Sequence, residues 1–180
     1  MKIAITSPDD FSILIFRKGL IVSLIELGHE VFLISKTGDH VPLLEELGAQ
    51  HIPVSMGRFI DPLKDLCVLV EYYKIFKKEK FDIVHNFNIK PNNYGTIMAY
   101  LAGCKNIFNT VEGLGFMFYD PDEKSFIAKS IKKGIEYLYK ISSRLSDRTW
   151  FLNSDDIDYF KKNKLIKHEK IILIRSIGIN

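Results

Sequence analysis

Seven short runs rich in Ile, Val and Phe punctuate the chain at 2–6, 30–35, 49–55, 82–87, 105–111, 148–153 and 170–175. Most are nearly continuous apolar runs rather than alternating ones, as expected of strands covered by helices on both faces. Helical segments separate them. Asp61-Pro62 supplies a capping carboxylate and a proline for the first turn, after which Leu63, Leu66, Val70 and Tyr73 repeat at helical spacing. Asp120-Pro121-Asp122-Glu123 has the form of a capping box, and Asn153-Ser154-Asp155-Asp156 places acidic residues at the positive end of another helix. Gly28, Gly48 and Gly103 each fall between a helix and the next strand, where a left-handed residue is needed. This order requires right-handed crossovers, so the pattern predicts a single doubly wound α/β domain with a mainly parallel sheet.

Such a fold binds ligands beyond the carboxyl ends of its strands, which directs attention to 7–17, 86–93 and 112–122. The first segment has no glycine, so neither a dinucleotide fingerprint nor a Walker A loop is present. Its apolar residues either pack a loop against its own domain or form a wall flanked by Arg17, whose planar guanidinium suits phosphate. The second, His85 to Tyr94, is the densest polar cluster. Pro91 opens a helix there, and its free N–H groups with Lys90 suit a sugar or phosphate. Asn92 and Asn93 read better as caps of the helix and turn, whereas His85 and Lys90 favour a functional role. In the third, Gly113 and Gly115 allow close backbone approach to an anion, and Glu112 stands at a strand tip, where a catalytic carboxylate would be placed. A tight turn alone equally explains that Gly-Leu-Gly. His29, His40, His51 and His168 are scattered and read as surface or packing residues.

A helix over 122–145 carries a stripe of Ile127, Ile131, Ile135, Leu138, Ile141 and Leu145, with Lys129, Lys132, Lys133 and Lys140 opposite. The lysines make either a solvated face or one that approaches anionic lipid. The 180 residues are 47% hydrophobic and 26% charged, which excludes a disordered chain. A net charge of +3 is too small to argue for nucleic acid. Cys67 and Cys104 form no metal or redox motif and are expected reduced and buried. The apolar stretch at 3–6 is too short for a signal peptide, and the block at 11–27 is broken by Arg17, Lys18 and Glu26. A cytoplasmic protein follows as the expectation, with peripheral attachment to the inner face of the membrane left open.

Several pieces in fixed order carry a resemblance. They are the Lys-Ile-Ala-Ile-Thr opening strand, Phe16-Arg17-Lys18, Leu27-Gly28-His29-Glu30-Val31, Asp61-Pro62-Leu63-Lys64-Asp65-Leu66, Phe81-Asp82-Ile83-Val84-His85, Ile89-Lys90-Pro91-Asn92-Asn93-Tyr94-Gly95 and Glu112-Gly113-Leu114-Gly115-Phe116. Together they resemble the N-terminal half of family-4-type GT-B glycosyltransferases, in the subgroup that builds bacterial surface polysaccharides on a polyprenyl-diphosphate carrier. The resemblance implies transfer of a sugar from a nucleotide-diphosphate donor to a glycan or lipid-linked acceptor, with retention, in a cleft between two Rossmann-like domains. It also implies no cofactor and no metal. The acceptor would meet Phe16, Arg17, Lys18, His85, Asn86 and Lys90. Glu112 would be catalytic, with Gly113, Leu114 and Gly115 near the donor phosphates.

Two departures stand out. Many members have His where this chain has Glu112, and an ionised glutamate only accepts hydrogen bonds. The first loop also lacks a Gly-Gly pair. By the same resemblance 1–175 is the acceptor-side domain, and Ser176-Ile177-Gly178-Ile179-Asn180 opens the linker to a C-terminal donor domain that the chain lacks. Two alternatives remain: the acceptor subunit of a transferase split over two chains, and a non-catalytic module for phosphorylated glycans or anionic lipid.

Overall fold

The computed structural model describes residues 1–57, 60–114, 118 and 125–174. Each of the seven apolar runs forms a strand: β1 Lys2–Asp9, β2 Glu30–Lys36, β3 Gln50–Pro53, β4 Ile83–Phe87, β5 Asn106–Val111, β6 Arg148–Phe151 and β7 Ile171–Leu173. They make one parallel sheet in the order β3-β2-β1-β4-β5-β6-β7. The helices are α1 Asp10–Glu26, α2 Val41–Glu46, α3 Pro62–Glu79, α4 Thr96–Ala102, α5 Phe126–Leu145 and α6 Ser154–Lys162, with a turn of π-helix at Pro91–Gly95 leading into α4. None of the described helices is long and apolar enough to cross a membrane.

Pleating assigns each side chain a face. Ile5 lies opposite Leu33 of β2 and His85 of β4. Ile5 and Leu33 pack with Phe87 against Ile13 and Ile21 of α1 and Leu44 of α2. The other face buries Ala4, Ile34, Val84 and Ile107 under Val68, Tyr72 and Phe76 of α3. Further along that face, Val111 and Phe151 meet Ile135 and Tyr139 of α5 and Ile157 and Phe160 of α6. The chain therefore changes face between β3 and β4. Crossovers leave β1 and β4 in opposite directions, and their carboxyl ends form the switch point where a crevice opens.

The local signals mostly hold. Asp61 accepts from the Lys64 N–H at 3.2 Å and Asn153 from the Asp156 N–H at 2.8 Å, capping α3 and α6. Gly28, Gly48 and Gly103 have φ of +78°, +96° and +93°. Four expectations need correction. The segment 7–17 is not a loop: β1 runs on to Asp9, whose carboxylate accepts from the Ser12 N–H at 2.7 Å and starts α1 at once. Helix α3 has two apolar stripes, and the periodic one of Leu63, Leu66, Val70 and Tyr73 faces outward. Val68, Tyr72 and Phe76 are buried instead, because the two rings stack at 5.4 Å and fill more of the space above the sheet. Cys67 goes outward with the first stripe and is exposed, while Cys104 is half-buried; both are free thiols.

The fourth correction concerns α5. It starts at Phe126, capped by Ser125, rather than at Asp122, and its inner face is Ile135, Glu136, Tyr139, Ser142 and Ser143. Ile127 is exposed. Lys132 leaves the outer face to lie over the rings of Phe118 and Tyr159, donating to the Phe118 carbonyl at 2.9 Å. The expected capping box at 120–123 and the linker at 176–180 lie outside the described residues.

Candidate functional site

At the switch point β1 ends in the N-terminus of α1, β4 ends at Phe87, and β5 ends at Val111 followed by Glu112. Two turns into α1, Arg17 points back toward the sheet and is buried. Its guanidinium lies over the Phe87 ring at 4.1 Å, donates to the Phe16 carbonyl at 2.8 Å, and pairs with the Glu112 carboxylate. Burial lowers the Arg17 pKa to about 10, which leaves it cationic at neutral pH. Glu112 keeps 21% of its side chain exposed, so the pair has one buried member and one that reaches the surface. Gly113 follows with φ of +145° and open space where a Cβ would point, leaving its backbone accessible.

His85 belongs to β4 rather than to the loop after it. Its Nε2 is 2.8 Å from the Thr110 hydroxyl, and its ring lies 4.0 Å from Phe87 and 4.4 Å from Trp150, centre to centre. Burial, and then the positive charge of Arg17, hold its pKa well below the usual histidine range, so the ring is neutral. Asn86, also in β4, is fully buried on the opposite face. It accepts from the Thr6 hydroxyl at 2.7 Å and donates to Thr96 at 3.1 Å and Asn109 at 3.0 Å. This network fastens the π-turn to the sheet. Asn92 donates to the Thr110 carbonyl at 2.8 Å and Asn93 to the Ile89 carbonyl at 2.9 Å, so both asparagines are structural.

Lys90 is held by Asp65 of α3 at 2.5 Å, and Tyr94 donates to the same carboxylate at 3.2 Å. Burial, then the Asp65 charge, push the Tyr94 phenol up to about 12. The structure thus brings Arg17, His85, Phe87 and Glu112 into one cluster. It sets Lys90 with Asp65 at the flank and leaves Lys18 exposed on α1. Phe16 is half-buried, and Leu114 is buried in the core beneath α5 and α6 rather than lining the crevice. Gly115 lies outside the described residues. Asp65 and the Phe87 platform escaped the sequence reading. Only the position of Phe87 at the end of an apolar run beside His85 could have signalled it, while nothing in the sequence pairs Asp65 with Lys90. Cavities of about 410 and 330 Å³ open at the amino ends of the strands, away from this cluster.

The arrangement presents a carboxylate, oriented by a buried cation, beside open backbone at the tip of a parallel strand. A family model described as glycosyl transferase 4-like matches residues 2–148. The chain belongs to the glycosyl transferase 4-like family. This family member is 30% identical, over its whole length, to the N,N'-diacetylbacillosaminyl-diphospho-undecaprenol alpha-1,3-N-acetylgalactosaminyltransferase of Campylobacter jejuni, of which it covers 47%. Over 67% of the chain it is 32% identical to the Escherichia coli UDP-Gal:alpha-D-GlcNAc-diphosphoundecaprenol alpha-1,3-galactosyltransferase, covering 29% of that protein. Its sheet and helices superpose on a Rickettsia africae glycosyltransferase with a TM-score of 0.68 at 23% identity, covering 96% of this chain and 42% of that one. The chain therefore spans less than half the length of these proteins, and its fold is the Rossmann-like half shared by GT-B glycosyltransferases.

Proposed function

We propose that the chain is the acceptor-side half of a retaining glycosyltransferase that moves a sugar from a nucleotide-diphosphate donor onto a glycan carried on a polyprenyl diphosphate. The observation that carries this reading is the identity, over the whole chain, to a transferase named for a diphospho-undecaprenol acceptor. The α linkage in the names of both relatives supports retention. With the acceptor carrier in a bilayer, the enzyme works at the cytoplasmic membrane surface.

Glu112 is the reacting-centre residue in this reading. Its carboxylate accepts a hydrogen bond from a sugar hydroxyl and offsets positive charge developing at the anomeric carbon. Arg17 pairs with that carboxylate and aims it, and the accessible Gly113 backbone lets the donor phosphates approach. The exposed ammonium of Lys18 and the Lys90–Asp65 pair flank the acceptor diphosphate. Neutral His85 and Phe87 form the floor beneath Arg17. The remaining half of the enzyme binds the nucleotide and stabilises the departing diphosphate, with no metal required.

The test uses the full-length enzyme, a nucleotide sugar of the galactose series and a GlcNAc-diphospho-polyprenol acceptor. Glu112→Gln is expected to lower kcat by about 100- to 1,000-fold with little change in KM. The 180-residue chain alone is expected to turn over no donor, because positioning by the second half is lost. Unchanged kcat in the variant would remove Glu112 from the reacting centre. Turnover by the isolated chain would end the half-enzyme reading.

A further inference from the structure

The smaller of the two cavities, about 330 Å³, lies at the amino ends of β6 and β7, between the last turn of α5 and the turn after α6. Its rim carries Arg144 from α5, Lys161 from α6, Lys164 from the turn and Lys167 just beyond it. Buried Ser143 and Leu165 complete the lining. Four cations from separate stretches of chain thus converge on one concave surface.

These cations do not hold the fold together. Among the described residues the side chains of Arg144, Lys161 and Lys164 have no hydrogen-bond or ion-pair partner, and Lys167 reaches only the exposed Glu169, at 3.8 Å. The negative ends of the two helices are covered by other groups. Lys170 donates to the Arg144 and Ser146 carbonyls at 2.7 and 2.6 Å, and the N–H groups of Asn163, Lys164 and Leu165 close the end of α6 on Tyr159, Lys161 and Phe160. Asp147, the acid beside the end of α5, accepts from the Ile107 N–H at 2.8 Å. Two further details point to a ligand. Lys164 has φ of +53°, where glycine is the relaxed choice, so its side chain is kept against backbone strain. Ser143 is 3% exposed and lines the cavity, yet its hydroxyl has no hydrogen-bond partner among the described residues.

We infer that this cavity binds a soluble diphosphate, free or as a nucleoside diphosphate, at a site separate from the Arg17–Glu112 cluster. Like charges gathered around a concave, partly apolar wall repel one another and focus a positive potential, which an anion relieves. The Arg144 guanidinium offers a planar fork for two phosphate oxygens, the lysines meet the remaining charge, and the Ser143 hydroxyl donates to one more oxygen. Four cations less Glu169 leave three positive charges, which suits a diphosphate better than a single phosphate. The volume is at the small end of the range for small-molecule sites. A lipid headgroup fits the place poorly, since a bilayer gripped at the amino ends of the strands would leave Glu112, at the carboxyl end of β5, facing away from it. Neither the inference nor its test depends on sugar transfer.

The test is isothermal titration calorimetry of the 180-residue chain with inorganic pyrophosphate, UDP, phosphate and uridine. Pyrophosphate and UDP are expected to bind one to one, at least about tenfold tighter than phosphate, with uridine silent and high salt weakening both. Tighter binding of UDP than of pyrophosphate would name the nucleotide as the ligand, and equal binding the free diphosphate. Arg144→Ala and Lys161→Gln/Lys164→Gln/Lys167→Gln should each lose about tenfold or more, with unchanged circular dichroism since all four positions are exposed. Lys77→Gln/Lys80→Gln/Lys105→Gln, around the larger cavity, removes the same charge and should bind as the parent does. The ring resonances of His168, which also lines the site, should move with saturation. Lys164→Gly should weaken binding and yet raise the urea midpoint, because it relieves the left-handed backbone. No saturable binding, equal loss in the second lysine variant, an unmoved His168, or parental affinity in Lys164→Gly would each overturn the inference. So would flotation with phosphatidylglycerol vesicles that the first lysine variant abolishes, since the ligand would then be a lipid headgroup.

Discussion

Burial decides the charge state of His85, and through it part of the stability of the site. Its folded pKa is depressed while the unfolded chain keeps a value near 6.5, so the unfolded state binds the extra proton. Stability is therefore full above that value and falls as pH drops through the window between the unfolded and the folded pKa, by up to about 1.4 kcal/mol per pH unit for one group. Half-buried His51 is depressed too, by burial first, and adds to the same window. Urea midpoints should decline from about pH 7 to about pH 5, and the His85 ring resonances in NMR should stay those of the neutral form over that range. Arg17→Ala removes the buried partner of Glu112 and the cover of Phe87, with an expected loss of about 2–4 kcal/mol in urea unfolding. The sequence singles out Arg17 and Glu112 separately, as candidates for the site. Their pairing is not legible there, because it joins α1 to the end of β5 across 95 positions of chain, and no local pattern encodes such a contact.

Among elements, the π-turn at Pro91–Gly95 depends on one residue without a side chain. A Cβ at Gly95 would collide with the Asn86 carboxamide oxygen, the atom that also accepts from Thr6. Gly95→Ala should cost about 1–3 kcal/mol and raise hydrogen exchange through 91–96, a local effect that separates it from simple loss of core packing. Asp61→Ala should lower the urea midpoint slightly, through loss of the cap and of the pair with Lys64. Strand runs, caps and helix-ending glycines were legible because each is set by neighbours in sequence. Periodicity found α3 but not its orientation, since the helix offers two apolar stripes and only the shape of the sheet above Val84 and Ala4 selects Tyr72 and Phe76. The start of α1 was missed for a related reason. Pro8-Asp9-Asp10 reads as a turn, yet here the strand passes straight into the helix through the Asp9 cap.

At the level of the whole molecule, three apolar clusters share one sheet, so none can melt without exposing the others. Unfolding followed by far-ultraviolet circular dichroism and by the fluorescence of Trp150, the single tryptophan, should give one coincident midpoint. Trp150 stacks on Phe108 at 5.8 Å in the middle of β5 and β6 and reports on the sheet itself. The strand order carries a consequence for biosynthesis. Of these seven strands β1 is synthesised before the others and takes an inner place, with β2 and β3 laid to one side of it and β4 through β7 to the other. Growth is thus outward from a seed made earliest, each newly synthesised unit meeting an edge already waiting for it. Among the described residues the outermost strands, β3 and β7, hold four and three residues, which leaves little backbone for a neighbouring nascent chain to pair with.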